Sequence, residues 1–77
     1  MMPVSKLLED LDARRLPTPA RRRAIRVLAG ATQSEIAREV GVHRMTIARW
    51  ESGTHMPRRS DAARAYVRIL HELEAAS

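Results

Sequence analysis

Between Thr32 and Gly53 the chain reads TQSEIAREVGVHRMTIARWESG, and this stretch leaves little freedom in how the rest can fold. Thr32 with Glu35 three residues later forms a capping box, which opens a helix just before Ile36 and Ala37. Ile36, Ala37 and Val40 share one face at helical spacing, and Gly41 stands where the chain must take a positive φ to turn. After Val42, a second helix over 44–52 turns Ile47 and Trp50 to the same side at i, i+3, and Gly53 supplies its stop. Two helices of about two turns each cannot bury a core between them, so the hairpin must lean on other elements.

Those elements are readable on either side. Thr18 followed by Pro19 is an N-cap and first-turn pair for a helix running to Ala29, with Gly30 behind it and Ala24, Ile25 and Leu28 as its expected buried side. Ser60 caps a last helix in which Ala62, Ala65, Tyr66, Ile69, Leu70 and Leu73 recur at helical spacing. Val4, Leu7, Leu8 and Leu11 fall at i, i+3, i+4, i+7, which predicts a further amphipathic helix over Val4 to Arg15, ended by Pro17 and Pro19. It serves either as extra cover for the core or as a dimer contact. The expectation is an all-α fold, a compact bundle of about five helices in one domain over 1–77. Within it, 1–17 is an N-terminal helical extension, 32–53 the paired helices and 60–75 the C-terminal helix.

Composition narrows what such a bundle can do. With no Phe, its core must be aliphatic, with Trp50 and Tyr66 as the aromatic bulk. With no Cys, disulfides, a thiol nucleophile and the commoner structural zinc sites are excluded. His43, His55 and His71 are widely spaced along the chain, so neither a metal nor a cofactor is expected, and the chain does not read as an enzyme. The start, MMPVSKLLEDLD, has no run suited to a signal peptide, and no stretch approaches a membrane span, so a cytoplasmic protein is expected. Charge is unevenly placed: residues 18–59 hold nine Arg against Glu35, Glu39 and Glu51, whereas 1–17 is neutral and 60–77 slightly acidic. The net +5 therefore belongs to the paired helices and their flanks, the footprint of a surface that meets phosphates.

From Arg22 to Leu70 these residues resemble the phage-repressor-like helix-turn-helix proteins, also called Cro-like, XRE-like or lambda-repressor-like. The likeness lies in Gln33 opening the first helix, Ile36 and Val40 as core, small Ala37 where the two helices come closest, and Gly41 in the turn. It continues through Val42, Ile47 and Trp50 and ends in Glu51-Ser52-Gly53. The resemblance implies a sequence-specific double-stranded DNA-binding transcriptional regulator, a Cro-like or compact repressor of phage, plasmid or bacterial origin. A homodimer on two half-sites is the implied arrangement, with monomeric binding open.

In such a protein the second helix enters the major groove while the first crosses the backbone. The resemblance places base contacts at Arg44, Met45 and Arg49; Ala48, also off the core face, joins Met45 as a candidate for packing on a thymine methyl. Phosphate contacts fall to Gln33, His43, Thr46, Ser52, Arg58, Arg59 and, from the basic run ahead of the hairpin, Arg22. The resemblance also implies an ion pair between Arg26 and Glu51, tying the first core helix to the hairpin. His43 departs from the family, which has Ser or Thr at this N-cap; imidazole is the weaker cap, which frees His43 for DNA. Arg22 departs too, standing where the family more often has an apolar residue. The alternative function is an antitoxin-like or other protein-interaction regulator in which DNA binding is secondary.

Overall fold

The computed structural model describes residues 16–55, 57 and 60–76. Among these are four helices and no strand: α1 (Pro19–Ala29), α2 (Gln33–Val40), α3 (Arg44–Ser52) and α4 (Asp61–Ala76). The helix expected over Val4 to Arg15 lies outside the described residues. No helix among the described residues is long and apolar enough to cross a membrane.

Local signals in the sequence set each boundary. Thr18 Oγ1 accepts from the Arg21 N–H at 3.3 Å, and Pro19 follows at the position where a missing N–H costs nothing. At the far end, Gly30 takes a left-handed φ of 77° and the Ala31 N–H reaches back to the Arg26 carbonyl at 3.1 Å, satisfying an orphan acceptor. In α2 both halves of the capping box form: the Glu35 N–H donates to Thr32 Oγ1 at 3.0 Å, and the Thr32 N–H donates to Glu35 Oε1 at 2.9 Å. Gly41, at φ 86°, makes the corner between α2 and α3, and a Cβ there would meet nothing within 4 Å. Its requirement is thus purely for backbone conformation. Ser60 Oγ accepts from the Ala63 N–H at 3.0 Å and opens α4.

The four helices close on one core of Ile25, Ile36, Ala37, Val40, Ile47, Trp50, Tyr66 and Leu70, with Leu16, Val42, Ala65, Ile69 and Leu73 packed at its edge. Ile47 and Leu70 are fully buried, and the Trp50 and Tyr66 rings meet at 4.8 Å between centroids, tilted by 40°. That tilted contact supplies the aromatic bulk that a Phe-free core needs.

One face differs from the expectation. Leu28 is 73% exposed and Ala24 only half-buried, while Arg22 is 2% exposed. The inward stripe of α1 therefore runs through Arg22, Ile25 and Arg26, not through Ala24, Ile25 and Leu28. An arginine is tolerated there because its stem packs like an aliphatic chain while its head finds two carbonyls: Nε donates to Pro17 O at 2.7 Å and Nη1 to Trp50 O at 2.8 Å. The Trp50 carbonyl lies in the last turn of α3, where acceptors lack intrahelical partners and a cation is favourable.

Candidate nucleic-acid interface

The corner at Gly41 brings the N-terminus of α2 beside α3. With Ile47 and Trp50 turned into the core, the other side of α3 is left to solvent: Arg44, Arg49 and Ser52 are exposed and Met45 is 42% exposed. Thr46 and Ala48 are half-buried along the margins. This is the arrangement required of a helix about 10–12 Å wide that is to enter a groove of similar width.

α3 is held at both ends. At its start, His43 Nδ1 accepts from the Met45 N–H at 3.0 Å. The imidazole thus acts as the cap, contrary to the expectation that it caps poorly and is set free. An accepting Nδ1 places the neutral ring's proton on Nε2, which remains available as a donor. At its end, Glu51 is 7% exposed and pairs with Arg26 through Nε to Oε2 at 2.5 Å and Nη2 to Oε1 at 2.9 Å. The side chains are 12% and 3% exposed, so the expected tie between the first core helix and the hairpin is a largely buried one. Arg26 also donates to the Ala31 carbonyl at 2.9 Å, and its guanidinium pKa is raised first by the hydrogen bond to Glu51.

Gln33, the first residue of α2, is half-buried and lies between the two ends of α3. Its Nε2 donates to Glu51 Oε1 at 3.2 Å, and its Oε1 accepts from Arg44 Nη1 at 3.3 Å. Nothing in the spacing of Gln33, Arg44 and Glu51 along the chain signals this bridge, apart from Arg44 and Glu51 lying two turns apart on one face. Ser52 Oγ donates to the Arg49 carbonyl at 3.1 Å and lies 2.7 Å from Thr54 Oγ1. These contacts shape the exit from α3.

Of the residues expected at phosphates, Gln33, His43, Thr46 and Ser52 border the exposed side of α3. Arg58 and Arg59 lie outside the described residues. Arg22 must be withdrawn from that group, because its guanidinium is buried and spent on the Pro17 and Trp50 carbonyls, and burial lowers its pKa. Its i, i+3 spacing to Ile25 was the signal that it shares the core stripe. Arg21, its neighbour, is on the surface and pairs with Glu74 of α4, an exposed contact of small energetic weight.

A family model described as helix-turn-helix matches residues 23–64, more than half of the chain, from within α1 to within α4. The chain belongs to the XRE/Cro/lambda-repressor-like helix-turn-helix family. As a member it is a DNA-binding regulator of the XRE/Cro type, and double-stranded DNA is the partner that this membership implies. No curated protein and no solved structure matches it. In this XRE/Cro-type chain, a histidine caps α3 and an arginine lies in the core of α1.

Proposed function

We propose that this XRE/Cro-type regulator is a sequence-specific repressor that reads the major groove with α3 and binds as a homodimer. The observation carrying the proposal is the division of α3: Ile47 and Trp50 are 0% and 7% exposed, while Arg44, Met45 and Arg49 stand in solvent on the same two-turn helix. Arg44 and Arg49 each present a fork of donors to guanine O6 and N7, a pairing worth ~1–3 kcal/mol of discrimination. Met45 and Ala48 have no polar reach and pack on thymine methyls. Gln33, Thr46, Ser52 and His43 Nε2 meet phosphates along the groove edge, joined by Arg58 and Arg59. Two copies on half-sites about one helical turn apart would exclude polymerase from the covered promoter.

Selection of bound duplexes from a random pool, followed by titration against salt, tests this. A recovered site with dyad symmetry supports a dimer, and an asymmetric one supports a monomer. Affinity should fall with salt at a log–log slope of about −0.9 per neutralised phosphate. Arg44→Ala and Arg49→Ala should erase the preference for the recovered duplex over random sequence, and Arg58→Ala should weaken both alike. Equal losses on both duplexes for all three variants, or a slope near zero, would overturn the proposal.

A further inference from the structure

Gln33 sits between two groups of opposite hydrogen-bonding character. On one side is the Glu51 carboxylate, whose Oε1 takes both Arg26 Nη2 at 2.9 Å and Gln33 Nε2 at 3.2 Å. On the other is the Arg44 guanidinium, whose Nη1 donates to Gln33 Oε1 at 3.3 Å. An ionised carboxylate only accepts and a guanidinium only donates. Of the two orientations of the Gln33 amide, one alone satisfies both neighbours, with nitrogen toward Glu51 and oxygen toward Arg44.

We propose that Glu51 is a positioning residue for base reading: it holds the Gln33 amide in that one orientation, and the amide carbonyl in turn holds Arg44 for guanine. This rests on the DNA-reading role proposed above for Arg44 and deepens it. Glu51 is suited to the task because it is itself fixed, buried and gripped through both oxygens by Arg26. The core ion pair therefore extends through one amide to a side chain in solvent. Apart from Gln33, Arg44 has among the described residues only a weak acceptor in Met45 Sδ, 3.7 Å from Nη2, and an amide oxygen that restrains it before binding removes part of the ordering cost of association. The restraint leaves the reading chemistry intact, since a guanidinium has five N–H donors and Gln33 occupies one. A second N–H on Gln33 Nε2 remains for a phosphate.

Glu51→Gln tests the orientation step. A glutamine at 51 donates as well as accepts, so the Gln33 amide can reverse, point its own donors at the guanidinium and release Arg44. Gln33→Leu removes the relay but leaves the Arg26–Glu51 pair in place, and it reports on the same step should Glu51→Gln fail to fold. Each variant of the 77-residue chain would be put through selection from a random duplex pool at a temperature where circular dichroism shows it folded. The base positions that depend on Arg44 and on Arg49 are defined by what Arg44→Ala and Arg49→Ala lose. The expected result is that Glu51→Gln and Gln33→Leu lose about tenfold preference for guanine at the Arg44 position and keep the preference at the Arg49 position. A folded variant that retains the Arg44-dependent preference, or that loses both positions together, overturns the positioning role while leaving DNA reading standing. A wild-type chain that enriches no sequence overturns the DNA-reading proposal and this inference with it.

Discussion

Replacing Glu51 by alanine removes the carboxylate that receives Arg26 Nε at 2.5 Å and Nη2 at 2.9 Å, between side chains 3% and 12% exposed. What remains is a guanidinium, largely out of water, with the Ala31 carbonyl at 2.9 Å as its partner. Breaking one side of a buried pair costs roughly 3–5 kcal/mol. The surviving carbonyl and the residual exposure of Arg26 place this case at the lower end, about 3 kcal/mol, and the freed Gln33 amide adds little because it is half-exposed to water. For a domain of this size that corresponds to a fall in Tm of about 12–24 °C. Urea unfolding followed by the fluorescence of Trp50, the sole tryptophan, reads it directly, with an unchanged m-value as the control that the unfolded state is unaltered. The double variant Arg26→Met/Glu51→Leu should recover most of the loss, since apolar residues of similar volume often match a buried pair. Glu51→Ala lying within about 0.5 kcal/mol of wild type would show the pair to be a solvated one. A double variant whose loss equals the sum of the two single losses would refute the stranded-charge reasoning.

Three further outcomes are expected. Arg22→Met strips the Pro17 and Trp50 carbonyls of their donor and should destabilise by about 1–3 kcal/mol while leaving the salt slope of duplex binding unchanged; a slope smaller by about one would return Arg22 to the phosphate contacts. Burial first, and then the charge of Glu51, pushes the Tyr66 phenol up to about 12, whereas in the unfolded chain it ionises near 10. The unfolded state then releases its proton first, so stability is fully present below pH ~10 and falls as pH rises toward ~12, by up to about 1.4 kcal/mol per unit. Tyr66→Phe should abolish that slope and, because the hydroxyl has no hydrogen-bond partner among the described residues, be at least as stable near neutrality; a slope that persists in the Phe variant would contradict this. His43→Ala should cost about 1 kcal/mol and speed hydrogen exchange at the Met45 amide, whereas His43→Ser should hold both near wild type; unchanged exchange in the Ala variant would mean the imidazole is not the cap.

Some of the candidate interface was legible in the chain and some was not, for a definite reason. The outward placement of Arg44, Met45 and Arg49 followed from Ile47 and Trp50 once the helix was placed, because helical period alone assigns opposite faces. The pairing of Arg26 with Glu51 came by resemblance and is present as a bidentate contact. The bridging of Gln33 could not be read, since it joins residues 11 and 18 positions apart through side-chain rotamers that no periodicity encodes. The burial of Arg22 is hidden in the chain because a run of three arginines suggests a solvated face, and the inward stripe through Ile25 lies about one residue around the helix from Ala24 and Leu28.

The amino-acid sequence by itself determined the helix boundaries, from Thr18, Thr32 and Ser60 as caps to Gly30, Gly41 and Gly53 at positive φ. It also determined which side of α3 is apolar, since these are local matters settled by side-chain chemistry within a few residues. Only the tertiary packing decided that an arginine fills the core of α1, with its head on the Trp50 carbonyl 28 residues away. Packing likewise decided that a buried ion pair reaches through one glutamine to the surface. Each of these needs a donor and an acceptor from distant parts of the chain to meet within about 3 Å, and that proximity exists only once the helices have closed on one another.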